Sequence, residues 1–463
     1  MSNNANAFIT FPDSFVWGSA TSSYQIEGAV DVGGRGASIW DTFSAEEGRI
    51  ADGSSGAIAI DHYHRYREDV AIMASMGLDA YRFSIAWPRV VPDGRGVVNA
   101  EGLDFYDRLV DELLAAGITP LPTLYHWDLP QVLQDDGGWV SRDIAYAFAD
   151  YAEAVVSGLA DRVDTWTTLN EPFVSANHGY ITGEHAPGHT SISEGMAAAH
   201  HLMLAHGLAG ERIRSLAPDA RLAIVINFTA LEPVTTSDAD LEKLTHTDNL
   251  ENRWYTDPLA GRGYPAETAA HYEWDQSEVH DGDLDLISAP IDLLGVNYYF
   301  RELISTDENF ERPADTPVNT MGWELHPPSL GRLLRWLHRN YDFPAFMITE
   351  NGAPMPDNDR NEHGQIIDDD RLAFVRDHLS EVHSAIADGV PVEGYLVWSM
   401  FDNFEWAWGY GPTFGIVEVD YETLERRPKK SADWYRDAVA ANGFALPETP
   451  AFYKPWVNKD ATW

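Results

Sequence analysis

The sequence predicts an α/β protein, a single (β/α)8 TIM barrel with long loops at the C-terminal face of its strands. Three observations lead there. Apolar, strand-like runs recur eight times along the 463 residues, with helical patterns between them. Continuous runs such as Leu222-Ala223-Ile224-Val225-Ile226 suit parallel strands buried on both faces. No Gly-rich phosphate loop opens any of the helices, which argues against a doubly wound open sheet.

The strands are expected over 15–24, 80–87, 119–126, 164–170, 221–228, 291–299, 345–350 and 393–400. Each ends in polar or aromatic residues rather than in turn residues alone. Between them, Leu103, Tyr106, Leu109, Val110, Leu113 and Leu114 fall at helical spacing, and Gly117 supplies a stop. The chain exceeds the roughly 250 residues typical of such barrels, so the surplus is assigned to loops over 173–190, 301–328 and 402–414. All three follow a strand and crowd the rim at the strands' C-terminal ends. No Ser- or Pro-rich linker interrupts the pattern, so residues 1–463 read as one domain with a C-terminal extension at about 445–463.

Composition narrows the function. There are 31 basic against 73 acidic side chains, a formal charge of −42, and only five lysines. That excess argues against nucleic acid as a partner. It also points to a salt-adapted surface, because the Debye length falls from about 10 Å at 0.1 M salt to about 3 Å at 1 M. The absence of cysteine excludes disulfides, thiolate catalysis and thiolate metal sites. A polar start followed by Phe8-Ile9-Thr10-Phe11-Pro12 lacks the basic region and long apolar core of a secretion signal. No apolar run approaches the roughly 20 residues of a membrane span. A soluble, cytoplasmic protein with no membrane partner is expected.

Two glutamates leave apolar runs at strand tips, in Thr168-Leu169-Asn170-Glu171-Pro172 and Ile348-Thr349-Glu350-Asn351-Gly352. A carboxylate leaving a buried strand toward the loops needs a chemical reason, and cleavage of a glycosidic bond needs two. One carboxylic acid protonates the leaving oxygen while a second, ionised carboxylate faces the anomeric carbon. Glu171 and Glu350 fit these needs. Arg82 and Tyr299 are placed to hold Glu350 ionised, and its charge then raises the pKa of Glu171 and keeps it protonated. Forming a glycosyl ester removes that charge, after which Glu171 can serve as base.

Sugar recognition needs flat apolar faces and polar groups for hydroxyls. Trp398, Trp406 and Trp408 cluster around Glu405, and the third strand ends Tyr125-His126-Trp127-Asp128. Gln25 and Glu27 close the first expected strand and are candidates to reach the same rim, with stabilisation of the first loop the alternative for Glu27.

These motifs resemble glycoside hydrolase family 1 β-glucosidases almost end to end. The likeness runs through Phe15-Val16-Trp17-Gly18, Tyr24-Gln25-Ile26-Glu27-Gly28, Arg82-Phe83-Ser84-Ile85-Ala86-Trp87-Pro88-Arg89 and Leu124-Tyr125-His126-Trp127-Asp128. It continues through Leu169-Asn170-Glu171-Pro172, Asn297-Tyr298-Tyr299, Thr349-Glu350-Asn351-Gly352 and Asn403-Phe404-Glu405-Trp406. The resemblance implies a retaining mechanism with Glu350 as nucleophile and Glu171 as acid/base. It implies that Gln25, His126, Asn170, Glu405 and Trp406 bind sugar hydroxyls, that Trp398 stacks on the ring, and that Arg82 and Tyr299 support Glu350 with Asn297 beside them. Trp127 and Phe414 complete the substrate-binding set. The implied substrates are small β-glycosides and oligosaccharides, chiefly β-glucosides, with side activity on β-galactosides and β-fucosides and transglycosylation. Glu405 stands where 6-phospho-glycosidases carry serine, and no lysine lies between Lys243 and Lys429. An intact Glu171 likewise separates the chain from plant thioglucosidases. The loop ending Thr413-Phe414-Gly415 departs from the family in having no basic residue at Thr413.

Two rival readings are weaker. The groups His62/His64, His185/His189 and His200/His201/His206 lack the His-Glu-x-x-His spacing of a helical zinc site. No metal and no cofactor are expected. A catalytically silent sugar-binding protein has no need of two carboxylates at one anomeric centre. Aromatic residues in Phe452-Tyr453-Lys454-Pro455-Trp456 point to an exposed contact surface and a homo-oligomer.

Overall fold

The computed structural model describes residues 7–452. Eight parallel strands close a barrel: β1 (Val16–Ala20), β2 (Ala80–Ser84), β3 (Thr119–Tyr125), β4 (Thr165–Asn170), β5 (Arg221–Asn227), β6 (Leu293–Asn297), β7 (Phe346–Asn351) and β8 (Val392–Trp398). β8 returns to β1 in parallel register, with Tyr395 opposite Trp17. The architecture is the one the strand–helix alternation predicts.

Successive residues on the strands face opposite sides, and both sides are buried. Ala223, Leu293, Met347 and Leu396 belong to one apolar cluster with Ala20, Ala80 and Leu121. Their neighbours Ile224, Leu294 and Ile348 join the larger cluster of the surrounding helices. Alternation with two apolar faces is why these strands read as continuous runs.

The helix Ala100–Ala115 buries Phe105, Tyr106, Leu109, Val110 and Leu113, and Gly117, at φ 77°, follows it. Leu114 instead faces solvent.

The first expected strand is too long. It ends at Ala20, and Ser23–Ile26 forms a short helical turn. The serines explain the change: Ser22 Oγ donates locally to Gln25 Oε1 at 2.6 Å, and Ser84 Oγ, at the end of β2, accepts from Ser23 N at 2.7 Å, side-chain bonds that replace the ladder. Glu27 does not reach the rim. It is buried against Arg89 Nε at 3.0 Å and the Tyr106 hydroxyl at 2.6 Å. The second strand stops at Ser84, where Pro88 enters the first turn of the helix Trp87–Val90.

The expected loops carry structure. Residues 173–190 contain most of the helix Pro172–Ala176 and the π-helical turn Asn177–Ile181. The strand Arg301–Ile304 pairs in parallel with Ala230–Pro233 outside the barrel. Trp406–Trp408 is a 3-10 turn. At the far end, Gly443–Ala445 pairs antiparallel with Phe8–Thr10. Phe452 is buried rather than exposed, and Tyr453 to Trp456 lie outside the described residues. Among the described residues, no helix is long and apolar enough to cross a membrane.

Candidate active site

Glu171 immediately follows β4 at φ 49°, and Pro172 begins the next helix. A left-handed residue between a strand and a proline-started helix turns the chain sharply at the barrel mouth. Trp127 (φ 78°) and Trp406 (φ 49°) share this uncommon conformation at the same rim. Glu350 lies within β7. Two residues on, a Cβ at Gly352 would stand 1.6 Å from the Trp398 carbonyl oxygen, so glycine is required where the ends of β7 and β8 converge.

One guanidinium organises the centre. Arg82 donates from Nη1 to Glu350 Oε1 at 2.6 Å, from Nη2 to Asn170 Oδ1 at 2.7 Å, and from Nε to Thr123 Oγ1 at 3.0 Å. Tyr299 donates its hydroxyl to Glu350 Oε2 at 2.5 Å. Glu171 has a different partner, the Asn297 amide, which donates to its Oε1 at 2.5 Å. Thr349 fixes that amide by donating to Asn297 Oδ1 at 2.7 Å. Because Arg82 and Asn297 occupy Asn170 Oδ1, the Asn170 Nδ2 group must face His126 Nε2, 3.1 Å away. That nitrogen is then the acceptor, so His126 carries its proton on Nδ1, which is buried without a partner among the described residues.

The electrostatics follow from burial. Glu171 is raised far above the usual carboxylate range, first by burial and then by the negative charge of Glu350. Burial, rather than the neighbouring charge alone, is the larger cause. Glu350 is also raised by burial, but Arg82 and Tyr299 oppose the shift, so it is the better placed of the two to ionise. Glu405 is pushed up to about 8 by burial and then by Glu350. Burial, reinforced by the Arg82 charge, keeps His126 neutral.

A cavity of about 510 Å³ opens above these groups. His126, Trp127, Glu171, Asn297, Tyr299, Glu350, Trp398, Glu405, Trp406 and Phe414 all line it. The His126 ring lies nearly parallel to those of Trp398, at 5.9 Å, and Trp406, at 6.0 Å, each with a 17° interplanar angle.

Residues 8–444 match the sequence pattern of Glycosyl hydrolase family 1. The chain belongs to this family. β-Glucosidase A of Acetivibrio thermocellus is 44% identical over 446 residues, covering 94% of this chain and 99% of that protein. A bifunctional β-D-glucosidase/β-D-fucosidase of Bifidobacterium breve is 44% identical over 462 residues, covering 93% and 98%. A solved structure of a β-glucosidase from Thermotoga maritima in complex with glucoimidazole superposes with a TM-score of 0.91 at 41% identity, covering 94% of this chain and 100% of that one. The family 1 chain is therefore a glycoside hydrolase.

Three of the residues singled out in this glycosidase stand behind the cavity lining rather than in it: Arg82, Asn170 and Gln25. Gln25, on its helical turn, donates from Nε2 to Asn403 Oδ1 and the Phe404 carbonyl, both at 2.9 Å, and to Glu405 Oε2 at 3.3 Å. Trp127 presents its ring to the cavity while Nε1 donates to the Asn170 carbonyl at 3.0 Å. Phe414 meets the Tyr299 ring edge-on at 6.0 Å. Thr413 does not line the cavity; its hydroxyl donates to the Met355 carbonyl at 3.2 Å.

Sequence reasoning missed lining residues at the end of β5 and on the segments after β4 to β6, including Asn227, His178, Phe228, Glu251 and Glu302. Asn227 carries the same signal that marked Glu171, a polar residue ending an apolar strand, and its buried Oδ1 has no partner among the described residues. The histidine groups are held by other contacts: His62 by Asp69, His200 by Tyr264 and Asp283, His201 by the Trp139 carbonyl and His206 by Thr168. Among the described residues, no group of three or more His, Asp or Glu side chains is arranged to hold a metal ion.

Proposed function

We propose that this glycosidase is a retaining β-glucosidase in which Glu350 is the nucleophile and Glu171 the acid/base. One observation carries the assignment: the two carboxylates share one buried cavity with unlike partners. A guanidinium and a phenol hold Glu350, while an amide alone holds Glu171. The first environment favours an anion and the second a neutral acid.

In the first half-reaction a Glu350 oxygen attacks the anomeric carbon, the bond to the leaving oxygen breaks, and the Glu171 proton passes to that oxygen. The ester on Glu350 then carries no charge, so the repulsion that favoured protonated Glu171 disappears. In the second half-reaction Glu171 takes a proton from water, the water oxygen attacks the anomeric carbon, and the ester bond to Glu350 breaks. Net retention follows from two inversions. An alcohol replacing that water gives transglycosylation.

His126, with Nδ1–H presented, and Glu405, braced by Gln25, are assigned to sugar hydroxyls, and Trp398 to the ring face. Asn170, Asn297, Trp127, Trp406 and Phe414 complete or brace the pocket. The bifunctional Bifidobacterium relative supports activity on β-fucosides, and β-galactosides are the next glycone to assay.

Proton NMR of the anomer first formed from an aryl β-glucoside tests the mechanism. Early β-glucose is expected; early α-glucose overturns the assignment. Glu350→Ala is expected to be inactive yet folded, and azide added to it should yield the α-glucosyl azide.

A further inference from the structure

The cavity has two chemically unlike sides. The loops after β8 and β1 supply Glu405 and its brace Gln25, while those after β4 to β6 supply the side where Glu171 stands. In an eight-stranded barrel these loop groups face each other across the mouth. The leaving group therefore departs past the second set.

That second set carries two carboxylates the hydrolytic chemistry does not use. Glu251 lies on the π-helical turn Asn249–Arg253, and Glu302 on the strand Arg301–Ile304; both are half-buried and line the cavity. The charges acting on Glu251 are those of Glu302 and Asp248, both negative, and the Thr229 hydroxyl is its hydrogen-bond partner. Asp248 is already engaged by Arg253 and Asn252. Glu184, farther round the rim, differs in having His178 at 3.2 Å. Beside the pair, the Phe300 and Trp323 rings lie 5.0 Å apart and offer an aromatic face. Two like charges with no cationic side chain in ion-pair contact among the described residues, next to an aromatic wall, form the complement of an arylalkyl ammonium ion.

We propose that Glu251 and Glu302 select the leaving group by charge, so that β-glucosides whose aglycone carries an ammonium group are cleaved in preference to neutral or anionic counterparts. This rests on the glycosidase reading above and specifies its substrate class. The aromatic part of such an aglycone lies against Trp323, and its ammonium group supplies the positive charge the two glutamates lack. A carboxylate in the same place meets like charge. Burial first, and then the Glu302 charge, pushes Glu251 up to about 7, so the wall is fully charged only on the alkaline side of neutrality.

The test compares kcat/KM for 4-(aminomethyl)phenyl, 4-(hydroxymethyl)phenyl and 4-(carboxymethyl)phenyl β-glucosides at about pH 8 and about 0.1 M KCl. The cationic substrate is expected to exceed the neutral one by about tenfold, and the anionic one to fall below it. In E251Q/E302Q the cation-to-neutral ratio should drop to within about twofold of unity, with each single variant intermediate and Glu251→Asp retaining the preference. Because the ratio is read within one variant, a general loss of activity cancels. If the double variant fails to fold, the single variants decide. A wild-type ratio near unity overturns the proposal. So does a ratio that survives both substitutions, since the net charge of −42 would then be its source. Turnover of the neutral substrate without charge selection leaves the glycosidase reading standing alone, whereas no turnover of any of the three removes both.

Discussion

Arg82 and Glu350 form a buried ion pair at 2.6 Å, each side chain under 5% exposed. Taking both charges out of water is costly, and such pairs are seldom kept for stability alone. Here the same guanidinium also fixes Asn170, and through it the tautomer of His126. One buried cation thus sets the charge of the proposed nucleophile and the donor that the sugar pocket presents.

Replacing Arg82 by Met removes the largest influence that lowers the Glu350 pKa. With burial then unopposed by the guanidinium, Glu350 ionises only at higher pH. The acidic limb of kcat/KM, where activity is lost as pH falls, is expected to move upward. A loss of about 10²–10³-fold in kcat should accompany it. A pH–rate profile with an unmoved acidic limb would contradict the assignment of Glu350.

In its proposed role as acid, Glu171 must be protonated to assist departure of the leaving group, and its pKa is raised. Activity should therefore persist through neutral pH and be lost as pH rises through the Glu171 pKa. Glu171→Gln is expected to abolish that alkaline limb. It should cost about 10²–10⁴-fold on phenyl β-glucoside and far less in the first step with a dinitrophenyl leaving group, which departs unprotonated. Stopped-flow measurement on the activated substrate should show a burst, because the second step still lacks its base.

The barrel was legible because parallel strands buried on both faces leave an unmistakable apolar signature, as in 222–226. The site was legible where a polar residue interrupts such a run, as with Glu171, or where geometry admits one residue, as at Gly352 beside Trp398. What stayed hidden depends on pairing across long separations. Nothing local shows that Glu27 turns to Arg89, or that Glu251 and Glu302, 51 positions apart, line the same cavity. The first strand was overextended because Tyr24-Gln25-Ile26 continues an alternating pattern while serine hydroxyls, invisible to periodicity, redirect the backbone.

The buried acids have a stability consequence whose sign can be worked out. Glu405 is raised from its ordinary 4.5 to about 8 in the folded state. Between those values the folded protein binds the proton more tightly than the unfolded chain does. The folded state is favoured below about pH 4.5, and that advantage is lost as pH rises through about 8. Glu405→Gln removes the group that must ionise, so it should raise the unfolding free energy at pH 8.5 more than at pH 5, by about 1 kcal/mol or more. Buried histidines act in the opposite sense: His206 is depressed to about 4, so its contribution is lost as pH falls below about 6.5. Calorimetry across pH 5–9 checks both signs, and a gain from Glu405→Gln that is independent of pH would contradict the argument.

Acidic side chains outnumber basic ones by 73 to 31, and some cations are shared among several carboxylates. Arg162 is contacted by Asp107, Asp111 and Asp161, and Lys429 by Asp357 and Asp402. The remaining surface acids repel one another across the whole molecule, which disfavours the compact state at low ionic strength. Raising KCl from about 0.1 M to about 1 M shortens the screening length from about 10 Å to about 3 Å and suppresses that repulsion. Tm is expected to rise by several degrees over this range and then to level off. NaCl should act equally at the same ionic strength, whereas a sulfate effect that keeps growing with concentration would reflect exclusion from the surface instead. Asp281, Asp285 and Glu362 are exposed. Replacing them by lysine should raise Tm at low salt and leave it nearly unchanged at high salt, since screened charges no longer matter. A wild-type Tm that is flat or falling with KCl would show that the acidic excess is not a salt adaptation.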